Sequence, residues 1–428
     1  MPDGGGPQHF AGPVAAARDL QERHAMSEIY HPSSNPSDNQ SNLVRRARTG
    51  LLATGLISSL LFTLTSRAAH SQVILNEMPV TFTVEGYGNA TTGATREAAS
   101  VRGQAPDAVL FDGAARVLAQ LSTVNGPDIG ARVVVEGSTD HVHLSEASVL
   151  LFGSAGRLEV GKRMGLPDVL TGYAPNSFAF TTAEFGPPTG RSLDPGGGLQ
   201  TQFLRAAVRS RLEPLTARGV TASLFNDESL KVLYVLPKHN GWLGGVSFAA
   251  DAEDPRFDRL AQIGLVHESY WHQDVWRWGG TYAHARADRA GDGAILRDLN
   301  SVSLGTSVVL NDSLDIGIAA SYDGTSGTSR LALGDSASPA WGATESLNYN
   351  SGPWTVGGYY QYTRAQVAGS RTVNDRLSAF EVGASYRFTT RLRLYGAWFL
   401  YELANDGVDS KSVAGGGSVF TLGVRATL

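Results

Sequence analysis

The sequence predicts an all-β fold, a transmembrane antiparallel barrel of about sixteen strands, on three observations. Apolar and polar residues alternate with a period of two, tight turns alternate with longer connections, and charged residues are scarce. The alternation is cleanest at the C-terminus, where Phe420, Leu422, Val424, Ala426 and Leu428 form one face and Thr421, Gly423, Arg425 and Thr427 the other. Side chains alternate across a strand, so such a segment meets apolar surroundings on one side and water on the other. Phe380, Val382, Ala384, Tyr386 and Phe388 oppose Glu381, Gly383, Ser385 and Arg387 in the same way. So do Leu314, Ile316, Ile318, Ala320 and Tyr322 against Asp315, Gly317, Ala319 and Ser321. Near the start, Val80, Phe82, Val84 and Gly86 oppose Thr81, Thr83, Glu85 and Tyr87.

A soluble sandwich also alternates. Three features favour a membrane barrel. The polar faces are rich in Gly, Ser, Thr and charge, as a wet lumen requires. The segments run about ten residues or more, enough for a tilted span. Trp276, Trp278, Trp354, Tyr359, Tyr360, Tyr362, Trp398 and Tyr401 gather near segment ends, like interfacial girdles.

Composition agrees. Charged residues make up 18% of the 428 positions, against about a quarter in soluble proteins. Hydrophobic residues are only 42%, and no apolar run of about 18 residues follows the leader, which excludes a helical membrane protein. A formal charge of −5 argues against a nucleic-acid partner. The absence of Cys removes disulfides, thiolate metal sites and a Cys nucleophile together.

Tight turns read at Asn125-Gly126-Pro127-Asp128, Ser154-Ala155-Gly156, Lys238-His239-Asn240-Gly241, Asn311-Asp312-Ser313, Ser351-Gly352-Pro353 and Thr389-Thr390, with a seventh near His272-Gln273-Asp274. These residue types bend the chain at little steric cost. Each turn joins two strands, and adding the first and last strands gives roughly sixteen, an even number that lets the sheet close on itself. Closure removes the open edge that lipid would not tolerate, and a barrel of that size leaves an aqueous interior.

The N-terminus reads as a leader. Arg45, Arg46 and Arg48 precede the apolar stretch Gly50–Thr65, and Ala69-His70-Ser71 offers small residues for cleavage, making Gln72 the new first residue. This is the pattern of an export signal over 45–71. A single membrane anchor is the alternative, disfavoured by a stretch of only about 16 residues broken by Gly, Ser and Thr. Residues 1–44, polar and rich in Gly, Pro and Ser, are expected to be disordered. A signal so far from the first Met implies either a later start, at Met26, or an unusually long leader. Residues 72–428 form the barrel.

Alternation turns one set of charges toward the lumen: Glu85, Asp112, Arg116, Arg132, Glu136, Arg157, Glu159, Arg163, Arg277, Asp315, Glu381, Arg387, Arg393 and Arg425. A basic side chain facing lipid near the midplane would cost about 2–4 kcal/mol, so the polar face belongs inside. A register slip of one residue would reverse every facing. The longest connection spans residues 164–228 and carries Asp168, Glu184, Arg191 and Asp194. Its second part, Leu199–Arg218, has Phe203, Leu204, Val208, Leu212 and Leu215 near helical spacing.

Nothing in the sequence reads as a catalytic, cofactor or metal motif. His141-x-His143 reads as solvated loop residues, and Gly196-Gly197-Gly198 lies in a Pro-rich loop without the strand and helix a phosphate site needs. A barrel-embedded lipase would require Ser, His and a polar orienter near the interface. His284 is the nearest candidate and has no evident Ser partner.

Leu144–Tyr173 (LSEASVLLFGSAGRLEVGKRMGLPDVLTGY) resembles the Gram-negative general porins of α-proteobacterial type: a strand, a tight Gly turn and a "GxLxxG" strand leading to a long loop. Ser229–Phe248 (SLKVLYVLPKHNGWLGGVSF) resembles the next hairpin of that family, and Asp375–Arg387 with the C-terminal strand resembles its closing strands. The likeness spans about residues 79–428. It implies an outer-membrane channel for passive diffusion of small hydrophilic solutes and ions. It also implies a homotrimer in outer-membrane lipid, inserted by the barrel-assembly machinery. The chain ends in Leu428 where the family ends in Phe. The resemblance further implies that the long third extracellular loop folds inward. Arg116, Arg132 and Arg163 on the wall would then oppose Asp168, Glu184 and Asp194 on the loop across a constriction; a surface loop with solvated charges is the plainer alternative. A sugar- or anion-specific channel, a plugged structural barrel and the lipase remain open.

Overall fold

A computed structural model describes residues 71–75, 78–97, 109–123, 126–138, 142–170, 203–204, 212, 215, 228–252, 256–287, 296–327, 339–366, 374–405 and 415–427. All of them belong to one compact unit, Leu52–Leu428. Of the expected leader, only Ser71 falls among them.

The strands are β1 (Ser71–Leu75), β2 (Met78–Arg96), β3 (Val109–Leu121), β4 (Asp128–Ser138), β5 (Val142–Gly153) and β6 (Gly156–Lys162). After a short helix α1 (Leu166–Val169) come β7 (Leu230–Val235), β8 (Trp242–Asp251), β9 (Phe257–Trp271), β10 (Asp274–Ala287), β11 (Leu299–Leu310) and β12 (Leu314–Gly324). The chain finishes with β13 (Ala340–Ser351), β14 (Trp354–Gln366), β15 (Asn374–Arg387), β16 (Leu392–Asn405) and β17 (Gly415–Thr427).

Every strand from β2 onward pairs antiparallel with its neighbours in sequence, and β17 pairs with β2 from Ser418↔Arg96 to Thr427↔Tyr87. Sixteen strands thus form a closed ring, as the turn count implies. β1 is a hairpin extension that pairs with the start of β2, below the stretch that β17 occupies.

All seven turns read in the sequence join strands here. At two of them the backbone enters the left-handed region at consecutive positions: Asn240 and Gly241 (φ 48° and 83°) and Asn311 and Asp312 (φ 49° and 56°). Consecutive positive φ values reverse the chain tightly, and Asn, Asp and Gly adopt them most cheaply. At Gly241 a Cβ would also run into the Glu268 carbonyl oxygen. Outer-membrane barrels carry their short turns on the periplasmic side, so this end is the periplasmic one.

The two faces separate as the alternation requires. Val117, Val133, Val149, Ile263, Leu304, Ile318, Leu347, Val382 and Leu422 are exposed on the outside, where lipid lies. Thr421, Ser301, Ser303, Thr363, Gln361, Glu159 and Glu381 are buried on the inside. Trp276, Trp278, Trp354, Tyr360 and Trp398 are exposed on the outer face. Tyr359 and Tyr401 are not: each is buried on the inner face, so they leave the girdle. The reason is parity, since Tyr359 adjoins outward Tyr360 and Tyr401 follows inward Phe399 by two.

One patch of the inner face is apolar. Leu110, Ala340, Ala365, Leu377, Ala379, Phe399, Tyr401, Leu403 and Val419 form a cluster completed by Phe203, Leu204, Leu212 and Leu215. The last four come from the long connection between β6 and β7. The Phe203 ring lies against Gly93, where a Cβ would sit 2.6 Å from it. Gln361 Nε2 donates to the Leu215 carbonyl at 3.0 Å. Leu212 and Leu215 have helical backbone, in line with their spacing in the sequence.

Candidate functional site: the inner wall of the barrel

Register brings charged side chains together on the wall formed by β2–β6. Glu85 faces Arg116 across β2–β3, and the two form an ion pair. Arg132 on β4 lies beside β5, and β5 lies beside β6, which carries Arg157 and Glu159 and runs out at Arg163. Arg132 Nε is 3.2 Å from Glu146 Oε2, and its other end pairs with Glu159. Arg163 pairs with Glu146 and, at 3.0 Å, with Glu159. Arg157 Nε reaches Glu159 Oε1 at 2.8 Å. Glu159, whose side chain has no solvent exposure, is therefore held by three guanidiniums. Such burial is tolerable for a carboxylate only when it is fully paired.

Two of the three arginines expected on one wall, Arg132 and Arg163, thus share both carboxylates, and Arg116 stands nearby with Glu85. Glu146 was missed. Strict alternation from Leu144 turns Glu146 outward, but a bulge between Val134 and Val135 shifts the register. Ser145 and Glu146 are consequently both buried. One extra residue in a strand re-aims the side chains that follow. The Ser-Glu pair between two apolar runs is the only trace of this in the sequence.

Asp112 faces Asn89, whose amide donates to it at 3.0 Å, and Ser138 on its other side. Glu136 faces His143. Arg277 Nε reaches Glu268 at 2.8 Å, and Lys238 reaches the same carboxylate at 2.5 Å. Asp315 and Glu381 are buried on β12 and β15. Arg387, Arg393 and Arg425 are direct cross-strand neighbours on β15, β16 and β17, near the periplasmic end. Arg425 stacks over the Tyr87 ring at 4.4 Å, and Arg387 donates to the Gly352 carbonyl at 3.4 Å. Asp168 lies in α1; Glu184, Asp194 and Arg191 lie outside the described residues, as do His141 and Gly196–Gly198.

Among the described residues, one group could hold a cation: Glu136, His143 and Glu228 bring a ligand atom each within 4.8 Å of one another. Lys162 Nζ lies 3.2 Å from Glu228 and already balances that carboxylate. His284 Nδ1 is 3.1 Å from Asn300 Oδ1 on the outer face, whereas Ser301 and Ser303 are buried on the inner face.

A closed sixteen-stranded barrel with an apolar outside and a charged, hydroxyl-rich inside defines a transmembrane channel. The family model for Gram-negative porins matches residues 57–427. The chain belongs to that family, and it forms a channel in the bacterial outer membrane. No curated protein matches the chain. Among solved structures, the anion-selective porin of Comamonas acidovorans is similar at 12% identity, over 82% of this chain and 100% of that one, with a TM-score of 0.53. OmpT of Vibrio cholerae, expressed in the outer membrane, is similar at 13% identity, over 83% of this chain and 100% of that one, with a TM-score of 0.52. These two likenesses concern the fold.

Proposed function

We propose that the barrel is a general diffusion pore for small hydrophilic solutes and ions. Its narrowest section lies between the long connection, residues 164–228, and the wall bearing Arg116, Arg132 and Arg163. The observation that carries this is the seating of Phe203, Leu204, Leu212 and Leu215 on the inner apolar patch. These four residues belong to the connection that begins at the end of β6, which supports a route through the lumen. Asp168, Glu184 and Asp194 would then face the arginines and set a transverse field, which favours polar solutes because an apolar one must displace oriented water.

The remaining inward charges, Glu85, Asp112, Glu136, Arg157, Glu159, Arg277, Asp315, Glu381, Arg387, Arg393 and Arg425, line the path on either side. Residues 45–71 are removed on export, and the mature barrel begins at Gln72. The protein acts by permeation and not by catalysis, and assembles as a homotrimer in the membrane. An anion-preferring channel is the second reading, favoured by the arginines of β15–β17.

Planar-bilayer recording tests the proposal. Steady, large steps with weak ion selectivity are expected, and persistent silence would contradict it. Phe203→Ala removes an anchoring ring, a loss of about 3–5 kcal/mol for a buried Phe, and should raise unit conductance and its noise. Unchanged conductance would detach the long connection from the constriction.

A further inference from the structure

We propose that the outer face centred on Glu345 docks a second copy of this chain about a two-fold axis along the membrane normal, with the two Glu345 carboxyl groups hydrogen-bonded to each other. A three-fold ring joins two different patches of a chain, whereas a two-fold contact joins one patch to itself. This face is therefore separate from a trimer contact and links one assembly to the next.

Along β13, Trp341, Ala343, Glu345, Leu347 and Tyr349 take the outer positions, since Thr344, Ser346 and Asn348 between them are buried on the inner face. Glu345 is exposed, directly opposite Ile318 of β12 and Tyr360 of β14, which are exposed on the same side. Trp341, with Tyr322 and Tyr362 beside it, marks one aromatic girdle, and Tyr349, close to Trp354, marks the other. Glu345 is four residues from Trp341 and four from Tyr349, about 13 Å along the strand each way. Its side chain is too short to reach either boundary, so it lies in the middle of the apolar band. Among the described residues it makes no hydrogen bond or ion pair.

A carboxyl group facing hydrocarbon is unfavourable, and ionisable residues at that depth normally have a partner. The surface around Glu345 is low enough for a second barrel wall to come close. Ala343 and Ala320 form the next pair along β12–β13, and Gly358 faces Leu347 on the other side. Small residues that let backbones approach, with a polar side chain as the link, are how membrane segments associate where lipid removes the hydrophobic drive. Depth then selects the partner. Two copies inserted in the same direction, related by an axis along the membrane normal, hold every residue at the same height, so Glu345 meets Glu345. A protonated carboxyl donates as well as accepts, and the two groups satisfy each other. Other parts of the outer face offer less at this depth: Arg259, Arg286, Arg364 and Arg376 all lie within two residues of the loop-side ends of their strands.

The test uses the whole chain folded in detergent micelles, with sedimentation equilibrium as the readout. Wild type should associate beyond its basal oligomer. Glu345→Leu should weaken that further association about tenfold, and Glu345→Gln, whose amide also donates and accepts, should keep it. Both variants put a group at the lipid face that lipid accepts at least as well, so folding is preserved, and the heat-modified band on gels verifies it. Oxidation in liposomes gives a second reading. The chain has no Cys, so Glu345→Cys should link copies in pairs, and Ile263→Cys, exposed on β9, should link far less. Association of Glu345→Leu equal to wild type, or cross-linking of Ile263→Cys as efficient as that of Glu345→Cys, overturns the contact. Loss of association by Glu345→Gln together with Glu345→Leu overturns the carboxyl pairing and points to a cationic partner instead. None of these readings needs conduction, so a silent bilayer would remove the pore reading and leave the contact standing.

Discussion

On the β2–β6 wall, Arg116, Arg132, Arg157 and Arg163 are matched by Glu85, Glu146 and Glu159 in contact, whereas on the β15–β17 wall Arg387, Arg393 and Arg425 face one another. The first arrangement is a fixed network. Its charges are largely cancelled at close range, and the pairing fixes the guanidinium groups against the inner wall. In the second the arginines are one another's direct cross-strand neighbours, and the nearest acid along the register, Asp112, is two strands away from Arg425. The same residue type is thus tied into acid pairs on one wall and set beside its own kind on the other. What separates them is whether a carboxylate sits on the neighbouring strand at the matching register.

The comparison breaks most sharply at Glu159. Glu159→Ala would leave Arg132, Arg157 and Arg163 with one carboxylate fewer among them, and breaking a buried pair costs about 3–5 kcal/mol. The folded form should lose heat resistance on gels, and whatever protein inserts should shift its reversal potential toward anions. An unaltered melting profile would mean that the network carries no structural weight.

Arg393→Glu does the opposite on the other wall. It puts a carboxylate between Arg387 and Arg425, replacing two repulsive pairs with two attractive ones at roughly 0.2–1 kcal/mol each. Stability should rise slightly while selectivity moves toward cations, both read from the same preparation. The smallest effect is expected from Arg157→Gln. Its side chain is 31% exposed, and a partly solvated pair is worth about 0.2–1 kcal/mol. Thermal unfolding should move little, and a large loss would show that Arg157 is as essential to the network as Glu159.

Much of this was legible in the sequence, for a physical reason. A strand in a barrel sees lipid on one side and water on the other, so each inward charge is written into the alternation. Arg387, Arg393 and Arg425 fall on the inner face by parity alone, and the seven turns follow from residues that tolerate tight bends. What stayed hidden depends on register and on distance in the chain. Glu146 is turned inward by a bulge whose partner is on another strand. The carboxylate–guanidinium pairing needs the offset between β4, β5 and β6, which no local pattern encodes. Tyr359 and Tyr401 read as girdle residues because aromatic content marks strand ends more readily than it marks the side they face. The inner apolar patch, Phe399 and Leu403 with Leu377, breaks the polar-inside rule, and it does so where Phe203 and Leu215 cover it.

A water-filled barrel requires neighbouring side chains of one strand to face opposite solvents, and the absence of Cys from the chain allows a direct test. Val117 is exposed on the outer face, and Leu118, half-buried, is on the inner face of β3. Single Val117→Cys and Leu118→Cys proteins in liposomes would be treated with a membrane-impermeant, charged thiol reagent. Leu118→Cys should react quickly and lose conductance, while Val117→Cys should react only with a lipid-soluble reagent. Equal reactivity of the two toward the charged reagent, or the reverse order, would contradict the water-filled barrel.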